Sequence, residues 1–356
     1  FRSDEPSNRI DMAGHTVRQI ILDADTGSGG GWELLDSLST NAKGDIIINQ
    51  GSFYSNGFLI RADGFIVSNG HVGDIIIDSS EIFVHVPGSR AFNFSDADSV
   101  SALGTTVNLL NEGGPRFNGG PFHYNKVVFK GNALLGLANS ASLPGECRID
   151  TLIFNAGNYF YPLWQSYDIR IVDTLIINGS DCGHYTHFKG GSSELNIQKP
   201  HQFNYIIFEG LKNIGANATL NNCVVVDSAT GWNFANDPTP KTLYRVGGSG
   251  DWHDGDHWSD TSGGAPTGCV PTLLDDVHFD EHSFDTAAID IDINKYAYCR
   301  DLICDSLPYG ADVNLNQNSR MHIYGSLYLK PDFVFRAFNN IYINFMSDST
   351  DEQIDF

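Results

Sequence analysis

The stretch GDWHDGDHWSD at residues 250–260 is rich in carboxylates and imidazoles, and a second acidic stretch, DDVHFD, follows at 275–280. Oxygen-rich loops of this kind can bind Ca²⁺, which takes roughly six to eight hard ligands. The alternative is an Asx-rich turn, in which aspartate side chains cap backbone N–H groups. The five aspartates that would bind calcium under the first interpretation are Asp251, Asp254, Asp256, Asp276 and Asp280.

A second candidate site is aromatic. The stretch GNYFYPLWQSY at residues 157–167 concentrates large rings, and an exposed ring can stack on the apolar face of a sugar. The alternative is that these rings fill the core or cover a corner loop. The residues that would form a glycan-binding platform are Tyr159, Tyr161, Trp164 and Tyr167.

The sequence contains no strong catalytic constellation. It lacks a nucleophile elbow, a zinc-protease helix motif and a phosphate-binding loop. His184 and His187 lie near Asp181 and could form an acid–base group, but they also fit an ordinary loop beside a cysteine. We therefore predict no catalytic residues and no enzymatic activity, and no cofactor apart from the calcium alternative.

Charge and cysteine content restrict the partners. The 356 residues include 43 acidic and 21 basic side chains, a formal charge of −22, which argues against binding nucleic acid or anionic membrane surfaces. The sequence has no apolar run of the length that a membrane-spanning segment needs.

The six cysteines form no CxxC pair, so disulfides are favoured over a zinc site. Cys299 with Cys304 or Cys269 is the first pairing to consider.

The candidate residues must be positioned by short strands. Runs such as GDIIIN (44–49), GDIIID (73–78) and NNCVVVDS (221–228) are rich in Ile and Val and are bounded by turn residues. Their five- or six-residue length is short for hairpin arms, which counts against a β-sandwich. The apolar triplets suit strands that stack in register. We predict an all-β, right-handed parallel β-helix in two parts.

The amino-acid composition of the sequence changes near residue 236, where Gly, Pro and Asp become frequent. We predict a β-helix over 1–235, a junction or cap over 236–271, and a β-rich start of the next repeat over 272–356. Trp232, Trp252 and Trp258 are the predicted structural residues of the junction.

The two ends of the sequence also resemble each other. FRSDEPSNRID at residues 1–11 and FMSDSTDEQID at 345–355 share five identities at a constant offset of 344 residues. This echo predicts that the sequence is one period of a longer tandem array.

A family resemblance rests on GWNF (231–234), LYRVGGSGDWHDGDHWSDTSGG (243–264), CVPTLLDDVHFDEHSF (269–284) and IYGSLYL (323–329). This succession resembles the tandem modules of very large surface proteins of the Bacteroidota, the gliding-motility and attachment adhesins exported by the type IX secretion system. Arg245 departs from the pattern, which more often has an aromatic residue there. The resemblance identifies a stalk or adhesin module and no particular ligand.

The expected function is therefore a non-catalytic repeat module of an extracellular, outer-membrane-associated adhesin filament for attachment or gliding motility. Its partners would be neighbouring repeats of the same chain and a surface polysaccharide. The first alternative is a carbohydrate-binding module. A β-helix polysaccharide lyase or hydrolase is the second, supported only by analogy of fold.

Overall fold

The chain folds as a β-solenoid of about 11 turns, with 55% of its residues in strands. No α-helix occurs in the described part of the chain; two 3₁₀ turns, Gly255–His257 and Glu281–Ser283, are present. A computed structural model describes residues 2–3, 8–24, 30–41, 44–68, 70–71, 73–85, 88–110, 115–130, 133–135, 147–154, 159–162, 169–177, 179–189, 194–226, 229–236, 238–286, 288–294, 296–306, 312–316, 320–330, 334–337, 341–347 and 350–355.

The chain divides into two compact units. The first contains Phe1–Gly179 and Tyr185–Asp237, and the second contains Ser180–His184 and Pro238–Phe356. The strands of the first unit are β1 Arg2–Ser3, β2 Asn8–Ile10, β3 Ile20–Ala24, β4 Gly31–Leu34, β5 Leu38–Ser39, β6 Ile46–Gln50, β7 Ser52–Tyr54, β8 Ile60–Ala62, β9 Phe65–Val67, β10 Asp74–Ile76, β11 Glu81–Val84, β12 Gly88–Asn93, β13 Ser99–Leu109, β14 Pro115–Asn118, β15 His123–Phe129, β16 Ala133–Leu135, β17 Cys147–Phe154, β18 Tyr159–Pro162, β19 Ile169–Ile177, β20 Thr186–Lys189, β21 Glu194–Ile197, β22 His201–Asn204, β23 Ile206–Glu209, β24 Lys212–Asn213, β25 Ala218–Asn221, β26 Val224–Val226 and β27 Asn233–Asn236.

Each strand of the first unit pairs in parallel with the equivalent strand of the next coil. One face runs β1-β3-β6-β9-β12-β14, and another runs β2-β4-β7-β10-β13-β15-β17-β19-β21-β24, with β5, β8 and β11 joining it at β13. The later coils add β16-β18-β20-β23-β26 and β22-β25-β27. This order confirms the predicted parallel β-helix, because a sandwich would pair strands that are adjacent in sequence and antiparallel.

The apolar triplets alternate as strands should. In Ile46-Ile47-Ile48 the outer two residues are fully buried and the middle one is partly exposed, and the triplets at 75–77 and 224–226 repeat this pattern. Register then places like residue over like: Ile46 lies between Ile20 and Phe65 in neighbouring coils. Each inward position therefore becomes a column of apolar side chains that runs from coil to coil.

One column of the first unit becomes entirely aromatic. Phe92 pairs in register with both Phe65 and Phe117. Its ring stacks on Phe117 with centroids 5.0 Å apart and on Phe94 with centroids 4.3 Å apart. All four rings are fully buried, so this column is a continuous part of the core.

Asn-Gly corners turn the chain between faces. Asn56 and Gly57 both have positive φ, 53° and 78°, which is the conformation that a tight turn requires and that these two residue types tolerate. The Asn56 side chain donates to the carbonyl oxygen of Leu34 at 2.9 Å, one coil earlier. The corner thus also ties successive coils together.

The second unit repeats this architecture in fewer coils. Its strands form three sheets, β30-β28-β31-β34-β37-β40, β29-β32-β35-β38 and β33-β36-β39. Here β28 is Thr242–Arg245, β29 Gly250–Asp251, β30 Trp258–Ser259, β31 Asp276–Asp280, β32 Ala288–Asp292, β33 Ala297–Cys299, β34 Leu302–Ser306, β35 Asp312–Asn316, β36 Arg320–Ile323, β37 Leu327–Leu329, β38 Val334–Ala337, β39 Tyr342–Phe345 and β40 Ile354–Asp355.

One apolar column of the second unit has a regular spacing. Val277, Leu302 and Leu327 are register partners 25 residues apart, and all three are buried. Only β30 departs from parallel pairing among the described strands, because it returns antiparallel to β28. The segment 236–271, predicted as a junction, supplies β28, β29 and β30. Residues 238–271 are therefore built into the second unit as its first coil.

We expect Phe92→Ala to lower the free energy of unfolding by about 3–5 kcal/mol, because it removes the ring that joins three others in the aromatic column. The matched control is Leu103→Ala, a change at a side chain that is 64% exposed, which should stay within ~0.5 kcal/mol of the native chain. Urea titration followed by far-UV circular dichroism measures both. Equal midpoints for the two variants would contradict the column as a main stabilising feature.

Candidate functional site

The acidic loop is anchored by its two tryptophans, which lie in the core of the second unit. Trp252 and Trp258 meet edge to face with ring centroids 4.8 Å apart, and both are almost fully buried. The indole Nε1 of Trp258 donates to the carbonyl oxygen of Trp252 at 2.7 Å. Phe279 of β31 extends the cluster on the far side of Trp258. The loop therefore closes the first coil of this unit around aromatic rings.

The buried side chain of Arg245 stabilises the loop. Its guanidinium is fully buried, lies 5.2 Å from the ring of Trp258, and donates to the carbonyl oxygens of Gly248 at 3.1 Å and Asp251 at 3.2 Å. Burial lowers its pKa to about 10, against the opposing charges of Asp254 and Asp251. The side chain thus stays cationic at neutral pH and crosslinks the glycine turn to the acidic loop through backbone oxygens.

Asp251 orders the loop from its outer side. Its carboxylate accepts from the backbone N–H of His253 at 2.8 Å and from the side-chain amide of Asn294 at 2.6 Å. Burial alone would raise the pKa of Asp251, but the hydrogen bonds from His253, the charge of that imidazole and the Asn294 bond outweigh it, and the pKa falls to about 2. Asp251 is therefore an ionised cap at neutral pH.

Three of the other predicted ligands also act as caps or ion-pair partners. Asp254 accepts from the backbone N–H of Asp256 at 3.0 Å and begins the first 3₁₀ turn. Asp280 begins the second 3₁₀ turn and accepts from the backbone N–H of His282 at 2.9 Å. Asp276 accepts from Nε of Arg300, in the bend between β33 and β34, at 2.7 Å.

The structure does not bring the proposed calcium ligands together. Among the described residues, no group of three His, Cys, Asp or Glu side chains is placed to hold a metal ion. The side-chain partners found for four of these aspartates are those of the Asx-rich turn and of one ion pair. Spacing in the sequence could not separate the two interpretations, because both place aspartates every two or three residues.

The predicted aromatic platform falls largely outside the described residues. Trp164 and Tyr167 lie outside them altogether. Tyr159 and Tyr161 belong to β18, whose backbone pairs in parallel with β16 and β20. The glycan platform at 157–167 therefore stays a prediction.

The two histidines near Asp181 do not form one group. The Nδ1 of His184 lies 2.8 Å from Asp181, in the segment assigned to the second unit. His187 belongs to the first unit, is buried, and lies 3.3 Å from the carboxylate of Glu209 on the neighbouring strand.

Trp232, predicted as a junction residue, is a core residue of the first unit. Its ring stacks on that of Phe208 with the centroids 4.1 Å apart.

The cysteines depart from the pairing considered first. Cys182 and Cys269 form a disulfide at a sequence separation of 87, whereas Cys299 and Cys304 are buried thiols. Cys147 and Cys223 are free, and burial raises their thiol pKa to about 12 and about 11. These thiols stay protonated and act as small apolar core residues. The Cys182–Cys269 pair has no local sequence signal, because it depends on the fold.

One open groove lies on the surface of the second unit beside the acidic loop. It has a volume of about 530 Å³. Its lining combines two carboxylates, an imidazole and apolar side chains with glycine backbone: Val246, Gly247, Asp256, Gly263, Gly264, Pro266, Glu281, His282 and Phe284. Carboxylates beside the partly buried Phe284 suit hydrogen bonding to the hydroxyl groups of a polar ligand.

Comparisons of the chain with protein-family models, with curated proteins and with solved structures find no match. Within the part of the chain that the structure describes, no helix has the length and apolar composition to cross a membrane. The geometry of the two units therefore carries the functional proposals that follow.

We expect Arg245→Ala to destabilise the second unit by about 3 kcal/mol, because it removes buried packing against Trp258 and leaves two carbonyl oxygens without their donors. Arg300→Ala is the matched control, since the half-exposed Arg300–Asp276 pair should contribute no more than ~1 kcal/mol. Urea unfolding followed by tryptophan fluorescence measures both. A larger loss for Arg300→Ala would contradict the supporting role of Arg245.

The second unit should lose stability as the pH falls from 3.8 towards about 2, because the folded-state pKa of Asp251 lies below its ordinary value. The ionised carboxylate stabilises the fold above pH 3.8, and protonation removes that contribution. With the side chain 34% exposed, we expect a loss of about 1 kcal/mol.

Asp251→Asn should flatten this part of the stability–pH curve, whereas Asp260→Asn, at an exposed position of the same loop, should leave it unchanged. Thermal unfolding at a series of pH values provides the curves. An unaltered acid limb in Asp251→Asn would contradict the assignment.

Proposed function

We propose that this chain is a non-catalytic structural module of a very large extracellular adhesin filament that serves attachment or gliding motility. Neighbouring repeats of the same chain would be its main partners, and a surface polysaccharide its external one. Display at the outer membrane through type IX secretion follows from the family resemblance of residues 231–284.

The observation that carries this proposal is the parallel stacking of coils in both units. Each coil adds about 4.8 Å along the axis of its unit, and its backbone hydrogen bonds run in that direction. Each coil also templates the next through its columns of apolar residues, so stability accumulates by neighbour contacts. Such a stack gives length and stiffness, which a filament that transmits force between a cell and a surface needs.

The disulfide and the charge support a location outside the cell. Disulfides such as Cys182–Cys269 form and persist in oxidising compartments and are rare in the cytosol. The formal charge of −22 keeps a long, exposed filament soluble and opposes its lateral association.

The residues behind the family resemblance are structural ones. Trp252, Trp258, Val277 and Phe279 are almost fully buried positions of the motif stretch, and all four belong to the core of the second unit. A motif that specifies a core suits a module that is copied many times. This supports a stalk role more than a dedicated catalytic role.

The proposal predicts that antibody raised against this chain stains intact cells of the source organism and that its Fab fragments slow attachment or gliding. Fab fragments against an unrelated surface protein control for steric effects. Deletion of the type IX secretion machinery should abolish the surface stain. Staining only after permeabilisation, or unchanged attachment with saturating Fab, would overturn the proposal.

A second candidate function is glycan binding, favoured by the groove beside the acidic loop. The attachment assay separates the two when soluble polysaccharides are added as competitors. Competition that is lost in Phe284→Ala and Asp256→Asn chains would favour a carbohydrate-binding module. Attachment that no glycan inhibits favours the structural role alone.

A further inference from the structure

We propose that the Cys182–Cys269 disulfide is a covalent clasp that removes the 86 residues between the two cysteines from the stretch of chain that carries tension. The usefulness of such a clasp rests on the proposed role in a filament under force. Its existence rests on the geometry of residues 180–184 and 268–270, all of which belong to the second unit.

The first half of the clasp is a short excursion of the chain. After Gly179 the chain contributes Ser180–His184 to the second unit and then returns to the first unit at Tyr185. Asp181 orders this excursion: its carboxylate accepts from the backbone N–H of Gly183 at 2.9 Å and contacts Nδ1 of His184 at 2.8 Å. Cys182 is thereby held at the tip of a closed turn.

The second half is the segment around Cys269, and the two halves fit closely. The backbone N–H of Val270 donates to the carbonyl oxygen of Cys182 at 3.0 Å. A Cβ atom at Gly183 would lie 2.2 Å from the carbonyl oxygen of Gly268, so only glycine permits this approach. Backbone packing therefore positions the two cysteines, with their Cα atoms 4.6 Å apart.

The consequence follows from the covalent path. Between the two cysteines the chain runs through β20 to β27 of the first unit. It then runs through β28, β29 and β30 of the second unit. Tension that enters on the N-terminal side of Cys182 crosses the sulfur–sulfur bond to Cys269. The coils inside the loop cannot be drawn out while this bond is intact, even after their hydrogen bonds are broken.

The magnitude is large enough to measure. The loop spans 87 residue steps, and a fully extended chain covers roughly 3.5 Å per residue, so the bond withholds about 300 Å of length. With the clasp closed, the two cysteines contribute a separation of only a few ångströms. The fully unfolded chain should therefore be about 300 Å shorter in its oxidised form than in its reduced form.

Single-molecule pulling of the full chain through tags at its two ends tests this. We expect the native chain under non-reducing conditions to reach a final contour length about 300 Å below that of a Cys182→Ser, Cys269→Ser double variant. Pre-reduction of the native chain with dithiothreitol should abolish the difference. Cys223→Ser, a change at a free thiol inside the loop, should keep the shorter native length.

The final contour length depends on covalent connections alone, so a variant that folds poorly still gives a valid result. Equal lengths for the oxidised native chain and the double variant would overturn the clasp. A final contour length of the double variant that is as short as that of the oxidised native chain would show that another pair of cysteines closes the loop. That result would also overturn the clasp. Failure of the surface-staining experiment would affect only the proposed filament role, since the contour length is measured on the isolated chain.

Discussion

The structure depends on one constraint, the in-register stacking of parallel coils. Because each backbone N–H and C=O of a strand pairs with the next coil, each position along a strand is repeated as a column. Apolar columns such as Ile20, Ile46, Phe65, Phe92 and Phe117 then run through the core without a break. Coil length and corner geometry follow, since every insertion must be placed in a corner loop if the columns are to stay aligned.

The edge of a stack must also be paired or covered. In the second unit, β28 pairs on one side with β31 and on the other with β30, which follows the acidic loop and runs antiparallel. Trp252 and Trp258 fill the core, Arg245 satisfies backbone carbonyl oxygens from inside, and Asp251 caps from outside. The carboxylates of Asp251 and Asp254 thus accept backbone hydrogen bonds within the turn itself.

The mechanical role that we propose and the covalent structure of this chain are related. A stack of coils resists bending, but it can be unravelled one coil at a time because each coil contacts only its neighbours. A disulfide that encloses the last coils of the first unit and the first strands of the second limits how far unravelling can lengthen the chain. The same bond is of a kind that persists in oxidising compartments, which agrees with the location that we propose.

The sequence by itself determined the all-β class, the parallel stacking and the position at which the amino-acid composition changes, because alternation and corner residues are local signals. Ile46-Ile47-Ile48 and Asn56-Gly57 carry that information within a few residues. Only the tertiary structure shows the side-chain contacts of the candidate calcium ligands, since Asp276 accepts a hydrogen bond from Arg300. It alone paired Cys182 with Cys269 and buried Arg245 against Trp258. Those contacts join residues that are far apart in the chain, and their distances depend on how the coils are stacked.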